Sequence, residues 1–182
     1  MKRFFQTILE TVEIFFIALA IVIPIRYFLF QPFFVSGASM EPNFRSGEYL
    51  LIDEISYRFR NPQRGEVIVF RYPKEPSSFF IKRIIGLPGE TVEIKNGEIN
   101  IYDLDFPEGK ALKEFYIQEL TSGDIKVSLK KTEYFVLGDN RDHSSDSRSW
   151  GALPEEDIIG RVWLSIFPVK GIKFLALPNY QY

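Results

Sequence analysis

The sequence predicts a mainly β protein: one N-terminal membrane-spanning helix, then a β-rich domain interrupted by a small β cap. Three observations predict it. An uncharged run from Ile14 to Ile25 lies near the N-terminus, short apolar runs bounded by Gly, Pro and Asn follow, and a charged stretch with Pro107, Gly109 and Gly123 breaks their rhythm over 103–132. Apolar runs of about four to eight residues between turn formers read as strands, and about 20 mostly apolar residues suffice to cross a bilayer.

Taken in order, residues 1–11 form a short cytoplasmic end carrying Lys2 and Arg3, and 12–30 form the anchor. Arg26 lies near its far end, where a long side chain can snorkel to the headgroups. Lys2 and Arg3 favour an inside N-terminus, and Arg26 on the other flank opposes that bias. A cleaved leader is the competing reading, because Ser36-Gly37-Ala38 places small residues where a leader is cut. Glu10 and Glu13 ahead of the apolar run, and the distance to Ser36, favour a retained anchor.

Residues 31–102 and 133–182 read as one β domain. Its strands include Glu66-Val67-Ile68-Val69-Phe70, Glu133-Tyr134-Phe135-Val136-Leu137 and Gly160-Arg161-Val162-Trp163-Leu164-Ser165-Ile166. Between Thr91 and Ile101, apolar residues alternate on both sides of Asn96-Gly97, the pair suited to the positive φ angles of a type I′ hairpin turn. Within the cap at 103–132, Leu112, Phe115, Tyr116 and Glu119 fall at helical spacing, so a short helix is expected over Lys110–Leu120.

Composition narrows the chemistry. Lys and Arg number 22 against 24 Asp and Glu, leaving no basic field to gather phosphates, so nucleic acid is not an expected partner. The absence of cysteine excludes disulfides, thiolate metal sites and thiol redox chemistry. With a single histidine, His143, the choice of nucleophile and base is small.

Ser39 lies in Val35-Ser36-Gly37-Ala38-Ser39-Met40-Glu41-Pro42, where small residues and a following proline favour an exposed, rigid turn. Such a turn presents a hydroxyl and a backbone N–H together, although a serine in this setting is more often a turn residue than a nucleophile. Lys82 lies in Phe79-Phe80-Ile81-Lys82-Arg83-Ile84-Ile85. In a strand it shares a face with Phe80 and Ile84, which strips water from its ammonium and lowers its pKa. A value of about 8 requires roughly 3 kcal/mol of desolvation, within the range of buried lysines. The competing reading is an edge-strand lysine with a buried stem and a wet head. Arg83 points the other way, toward a carboxylate partner.

The loop Gly138-Asp139-Asn140-Arg141-Asp142-His143-Ser144-Ser145-Asp146-Ser147-Arg148 suits a network of Asx turns and ion pairs. His143 admits a Ser-His-Asp arrangement with Ser39 as a minor alternative. Asp139, Asp142 and Asp146 lack the spacing and terminal glutamate of a calcium loop, so no metal or cofactor is expected.

Four segments together resemble the bacterial type I signal peptidases, or leader peptidases. Ser39-Met40-Glu41-Pro42 resembles that family's nucleophile box, Arg64-Gly65-Glu66-Val67-Ile68-Val69-Phe70 its next strand, Lys82 to Glu90 its lysine box, and Gly138 to Arg148 its last. The resemblance implies a signal-peptidase-like fold and a Ser/Lys dyad, with Ser39 as nucleophile and Lys82 as general base. It implies that Ser144 orients the lysine, that Asp146 and Arg148 position the loop, and that Asp139, Arg83 and Arg141 belong to the same charged scaffold. It also implies the Ser39 backbone N–H as one oxyanion donor, and leaves the second unassigned, since Gly37 stands where one branch has a serine. The implied substrates are preprotein signal peptides and the implied setting is the cytoplasmic membrane, crossed once, with the catalytic part outside. A self-cleaving Ser/Lys regulator and a silent membrane-anchored binding module are the alternative readings.

Overall fold

The computed structural model describes residues 2–28, 30–117, 119–167, 171–175, 177–178 and 180, with side chains described for these except 2, 3, 5, 23–28, 30, 31 and 167. Helix α1 spans Lys2–Phe28. From Gln6 to Val22 every side chain is exposed, with Phe15, Phe16 and Ile17 all more than half uncovered. Among the described residues no helix is long and apolar enough to cross a membrane. The expected span is therefore met as a helix only. Glu10 and Glu13 occupy its described half, and the apolar run continues past Val22, outside the described side chains.

The remainder is mainly β. Strands β1 (Phe30–Phe34), β2 (Tyr49–Asp53), β3 (Val67–Tyr72) and β4 (Glu75–Gly86) precede a hairpin of β5 (Thr91–Lys95) and β6 (Glu98–Tyr102). Short β7 (Lys110–Ala111) and β8 (Ile125–Ser128) lead to β9 (Glu133–Leu137), helix α2 (Ser147–Trp150), β10 (Leu153–Pro154), β11 (Ile158–Phe167) and β12 (Gly171–Phe174). The large sheet runs β1-β2-β11-β3-β4-β9-β10, with β12 paired to β11, and the small one runs β7-β6-β5-β8.

The period of two carries the core. Val67 and Val69 pack with Met40, Phe44, Leu50 and Ile52, whereas Ile68 and Phe70 pack on the other side with Ile84, Tyr134 and Val136. A third cluster joins the sheets: Phe135 and Leu137 meet Val92, Ile94, Ile99 and Ile101. The hairpin turn is as expected, with φ of 53° at Asn96 and 85° at Gly97.

The helix expected over Lys110–Leu120 does not form. Ala111 pairs with Asn100, the Leu112 N–H donates to the Ile99 carbonyl at 2.8 Å, and Leu112 is buried in the third cluster. Glu114 turns away to meet Arg141 at 2.6 Å, and Phe115 is 69% exposed. Sheet pairing and a buried ion pair thus outcompete a weak helical pattern, while Gln118 lies outside the described residues. Phe33 packs against the core, whereas Phe34 is exposed.

Candidate active site

The loop between β1 and β2 presents Ser39. Its ends are tied where the Val35 N–H donates to the Glu48 carbonyl at 2.9 Å and the Gly47 N–H to the Val35 carbonyl at 3.0 Å. Met40 and Phe44, each 1% exposed, plug the loop into the core and leave Ser39 half-buried above them. One residue of the polar loop clamps this turn twice: the Asn140 N–H donates to the Ser39 carbonyl at 3.0 Å, and Asn140 Nδ2 donates to the Ala38 carbonyl at 3.1 Å. The Ser39 N–H has no acceptor among the described residues, so it remains available to a ligand.

Strand β4 supplies Lys82. Its register places Phe80 opposite Phe70 and Lys82 opposite Ile68, so the lysine stem emerges between apolar neighbours and the residue is 3% exposed. Its Nζ lies 2.8 Å from Ser39 Oγ and 2.8 Å from the Ile81 carbonyl, and 5.3 Å from the centre of the Phe80 ring. Burial pulls its pKa from 10.5 down to about 8, against the opposing pull of the Asp146 and Asp139 carboxylates. The opposite-face residue, Arg83, pairs in bidentate fashion with Asp139 at 2.8 and 2.6 Å and donates to the Gly65 carbonyl. Asn43 Nδ2 reaches the same carboxylate at 2.9 Å.

Asp146 and Arg148 hold the polar loop. The fully buried Asp146 carboxylate accepts from Arg148 Nε at 2.8 Å and from the Gly138 N–H at 3.1 Å, and Arg148 also donates to the Arg141 carbonyl. Arg141 donates to the Gly138 carbonyl at 2.9 Å. Ser144 Oγ is buried without a hydrogen bond among the described residues, so the lysine-orienting contact implied for it is absent, and the Ile81 carbonyl occupies that role in geometry. Asp139 and Asp146 are committed to arginines, and among the described residues no cluster has the makings of a metal site. His143 is exposed and bonds Asn140, not Ser39.

Sequence reasoning singled out neither Asn140 as the clamp nor Gly138 as the point of closest approach. A Cβ on Gly138 would meet the Ser144 side chain and come within 2.5 Å of the Ser39 carbonyl oxygen. Gly138→Ala is accordingly expected to cost about 1–3 kcal/mol of stability by overpacking. It is also expected to displace the serine turn and slow turnover about ten-fold or more, to be read by thermal unfolding and peptide cleavage.

Ser39 and Lys82 open onto a cleft of ≈ 340 Å³ whose walls include the apolar Val35, Leu50, Val69 and Phe79 and the polar His143 and Ser145. A hydroxyl against a buried, partly deprotonated amine, beside a free backbone N–H, can open an acyl bond by nucleophilic attack.

Comparison with known proteins gives the family. A family model described as "Signal peptidase, peptidase S26" matches residues 8–167. The chain is 36% identical over 173 residues to a probable signal peptidase I-1 of Synechocystis, covering 91% of this chain and 85% of that one. It is 37% identical over 174 residues to signal peptidase I U of Bacillus subtilis, covering 92% and 90%. A crystal structure of a signal peptidase I from Enterococcus faecalis aligns with a TM-score of 0.49 at 31% identity, covering 57% of this chain and 97% of that one. The match across most of its length means that this chain belongs to the signal peptidase, peptidase S26, family.

Proposed function

We propose that this chain is a membrane-anchored serine endopeptidase that removes N-terminal signal peptides from exported preproteins. The observation that carries the reading is the 2.8 Å contact between Lys82 Nζ and Ser39 Oγ on the wall of a largely apolar cleft. With Lys82 neutral, the same contact lets the Ser39 hydroxyl donate to Nζ. Lys82 takes the proton as Oγ attacks the scissile carbonyl, and the Ser39 N–H meets the oxyanion. The lysine ammonium then protonates the leaving amine, and Lys82, neutral again, activates the water that clears the acyl-enzyme. Gly37 brings no side chain to the oxyanion, and its N–H faces Ser46 Oγ at 3.4 Å, so only one donor is assigned. Asp146, Arg148, Asp139, Arg83 and Arg141 act as positioning residues. Ser144, without a bond to Lys82 among the described residues, is given no chemical step.

The anchor reading rests on α1. A helix of 27 residues runs about 40 Å at 1.5 Å per residue, longer than the roughly 30 Å of bilayer hydrocarbon. Its described apolar side chains from Ile8 to Val22 lie exposed, as a lipid-facing helix requires. Residues 1–11 then lie in the cytoplasm, 12–30 cross the membrane, and 31–102 with 133–182 form the catalytic unit outside it, capped by 103–132. Anchoring keeps the enzyme where the apolar leader of the substrate holds its cleavage site, which raises the effective concentration of both.

Two measurements test this reading. A penem or lipopeptide acylating agent should form an ester on Ser39, mapped by mass spectrometry. The cleavage rate of a preprotein in vesicles should rise with pH through about 8 as Lys82 loses its proton, with the same midpoint in His143→Ala. No adduct on Ser39, or a midpoint set by His143, sinks the assignment.

A further inference from the structure

His143 lines the same cleft as Ser39 and Lys82, whose other walls include Val35, Leu50, Val69 and Phe79. Its Nδ1 is 3.2 Å from Asn140 Oδ1. The orientation of that amide is fixed from the other side, because Asn140 Nδ2 bonds the Ala38 carbonyl, which can only accept. Oδ1 therefore faces the imidazole as an acceptor, and Nδ1 must carry the hydrogen. In the neutral ring this leaves Nε2 as a bare lone pair, with no partner among the described residues. Ser145, also exposed, contributes a hydroxyl to the same cleft. The cleft lining contains no carboxylate, so Nε2 is the side-chain nitrogen there that can only accept a hydrogen bond.

We propose that His143 and Ser145 form the binding subsite for the segment that leaves the enzyme, with His143 Nε2 accepting a backbone N–H of the chain just after the scissile bond. The inference rests on the Ser39/Lys82 reading, which sets the point of cleavage. The apolar walls suit the leader, whereas a mature segment of arbitrary sequence is best read through its backbone. An acceptor and a hydroxyl, fixed to the nucleophile turn through Asn140, offer that reading independently of side chains. Fixing the imidazole to the residue that holds Ala38 and Ser39 also keeps the subsite in register with the nucleophile.

The test is a double-mutant cycle between the enzyme and the substrate backbone, using the full-length chain in vesicles and a leader-derived peptide. The first three residues after the cut are N-methylated one at a time, removing one N–H each. His143→Ala should lower kcat/KM about five-fold, the worth of one hydrogen bond, mainly by raising KM. At one scanned position N-methylation should cost the wild-type chain a similar factor and cost His143→Ala nothing more, and His143→Gln, which keeps an acceptor, should restore part of the loss. If the two losses multiply at every position, or His143→Ala matches the wild type, the subsite is refuted. Failure of the underlying reading looks different, since the wild-type chain would then neither cleave the unmethylated peptide nor be acylated on Ser39.

Discussion

Replacing Lys82 with methionine is expected to cut signal-peptide cleavage by about a thousand-fold or more while making the fold more stable at neutral pH. Ser39→Ala should show the same loss of turnover without the gain, because base and nucleophile act as a unit. The gain follows from burial. Lys82 is 3% exposed and its pKa falls from 10.5 to about 8, so the folded state carries its charge at a cost of about 3 kcal/mol. That cost is present in full below pH 8. It is relieved as pH rises from about 8 to 10.5, where the folded chain has released a proton that the unfolded chain still holds. Methionine, of similar length and uncharged, should therefore raise the denaturation midpoint most at pH 7 and least above pH 10.5. Equal effects at both values would mean that the ammonium is better solvated than its surroundings indicate.

The second large effect falls on stability. Arg83→Met leaves the Asp139 carboxylate, whose side chain has no solvent exposure, with Asn43 as its remaining side-chain partner. Breaking a buried pair on one side costs about 3–5 kcal/mol, because the orphaned charge keeps its desolvation penalty. Arg83→Met combined with Asp139→Leu should recover most of that loss, since an apolar pair of similar volume carries no such penalty. Chemical denaturation of the two singles and the double resolves this directly. The pair also borders the reacting groups: Asp139 precedes Asn140, which holds the Ser39 carbonyl, and Asp139 pulls the Lys82 pKa upward. Asp139→Asn should accordingly move the alkaline rise in activity to lower pH. An unmoved midpoint would show that the carboxylate is too well neutralised by Arg83 to be felt at Lys82.

The elements most legible in the sequence were those with local causes. Asn96-Gly97 makes a hairpin turn because its two positive φ angles are inexpensive for those residues, whatever the rest of the chain does. The alternation in Val67-Ile68-Val69-Phe70 sends successive residues to two cores, and the run around Lys82 is buried because both faces of β4 are covered there. Where the local pattern was weak, pairing partners decided. Lys110–Leu120 has helical spacing, yet one strand bond to β6 and the reach of Glu114 to Arg141 keep its first residues, 110–114, out of a helix.

The sequence by itself determined the β class, the hairpin, the exposed serine turn and the apolar setting of Lys82, because each rests on propensity or period within a few residues. Tertiary structure alone decided that residues 43 positions apart meet at 2.8 Å, that the Ile81 carbonyl and not Ser144 bonds the lysine, and that Asn140 ties the polar loop to the nucleophile. Those facts depend on strand register and loop closure, which fix distances across the sheet to fractions of an ångström and leave no trace in the spacing of residues along the chain.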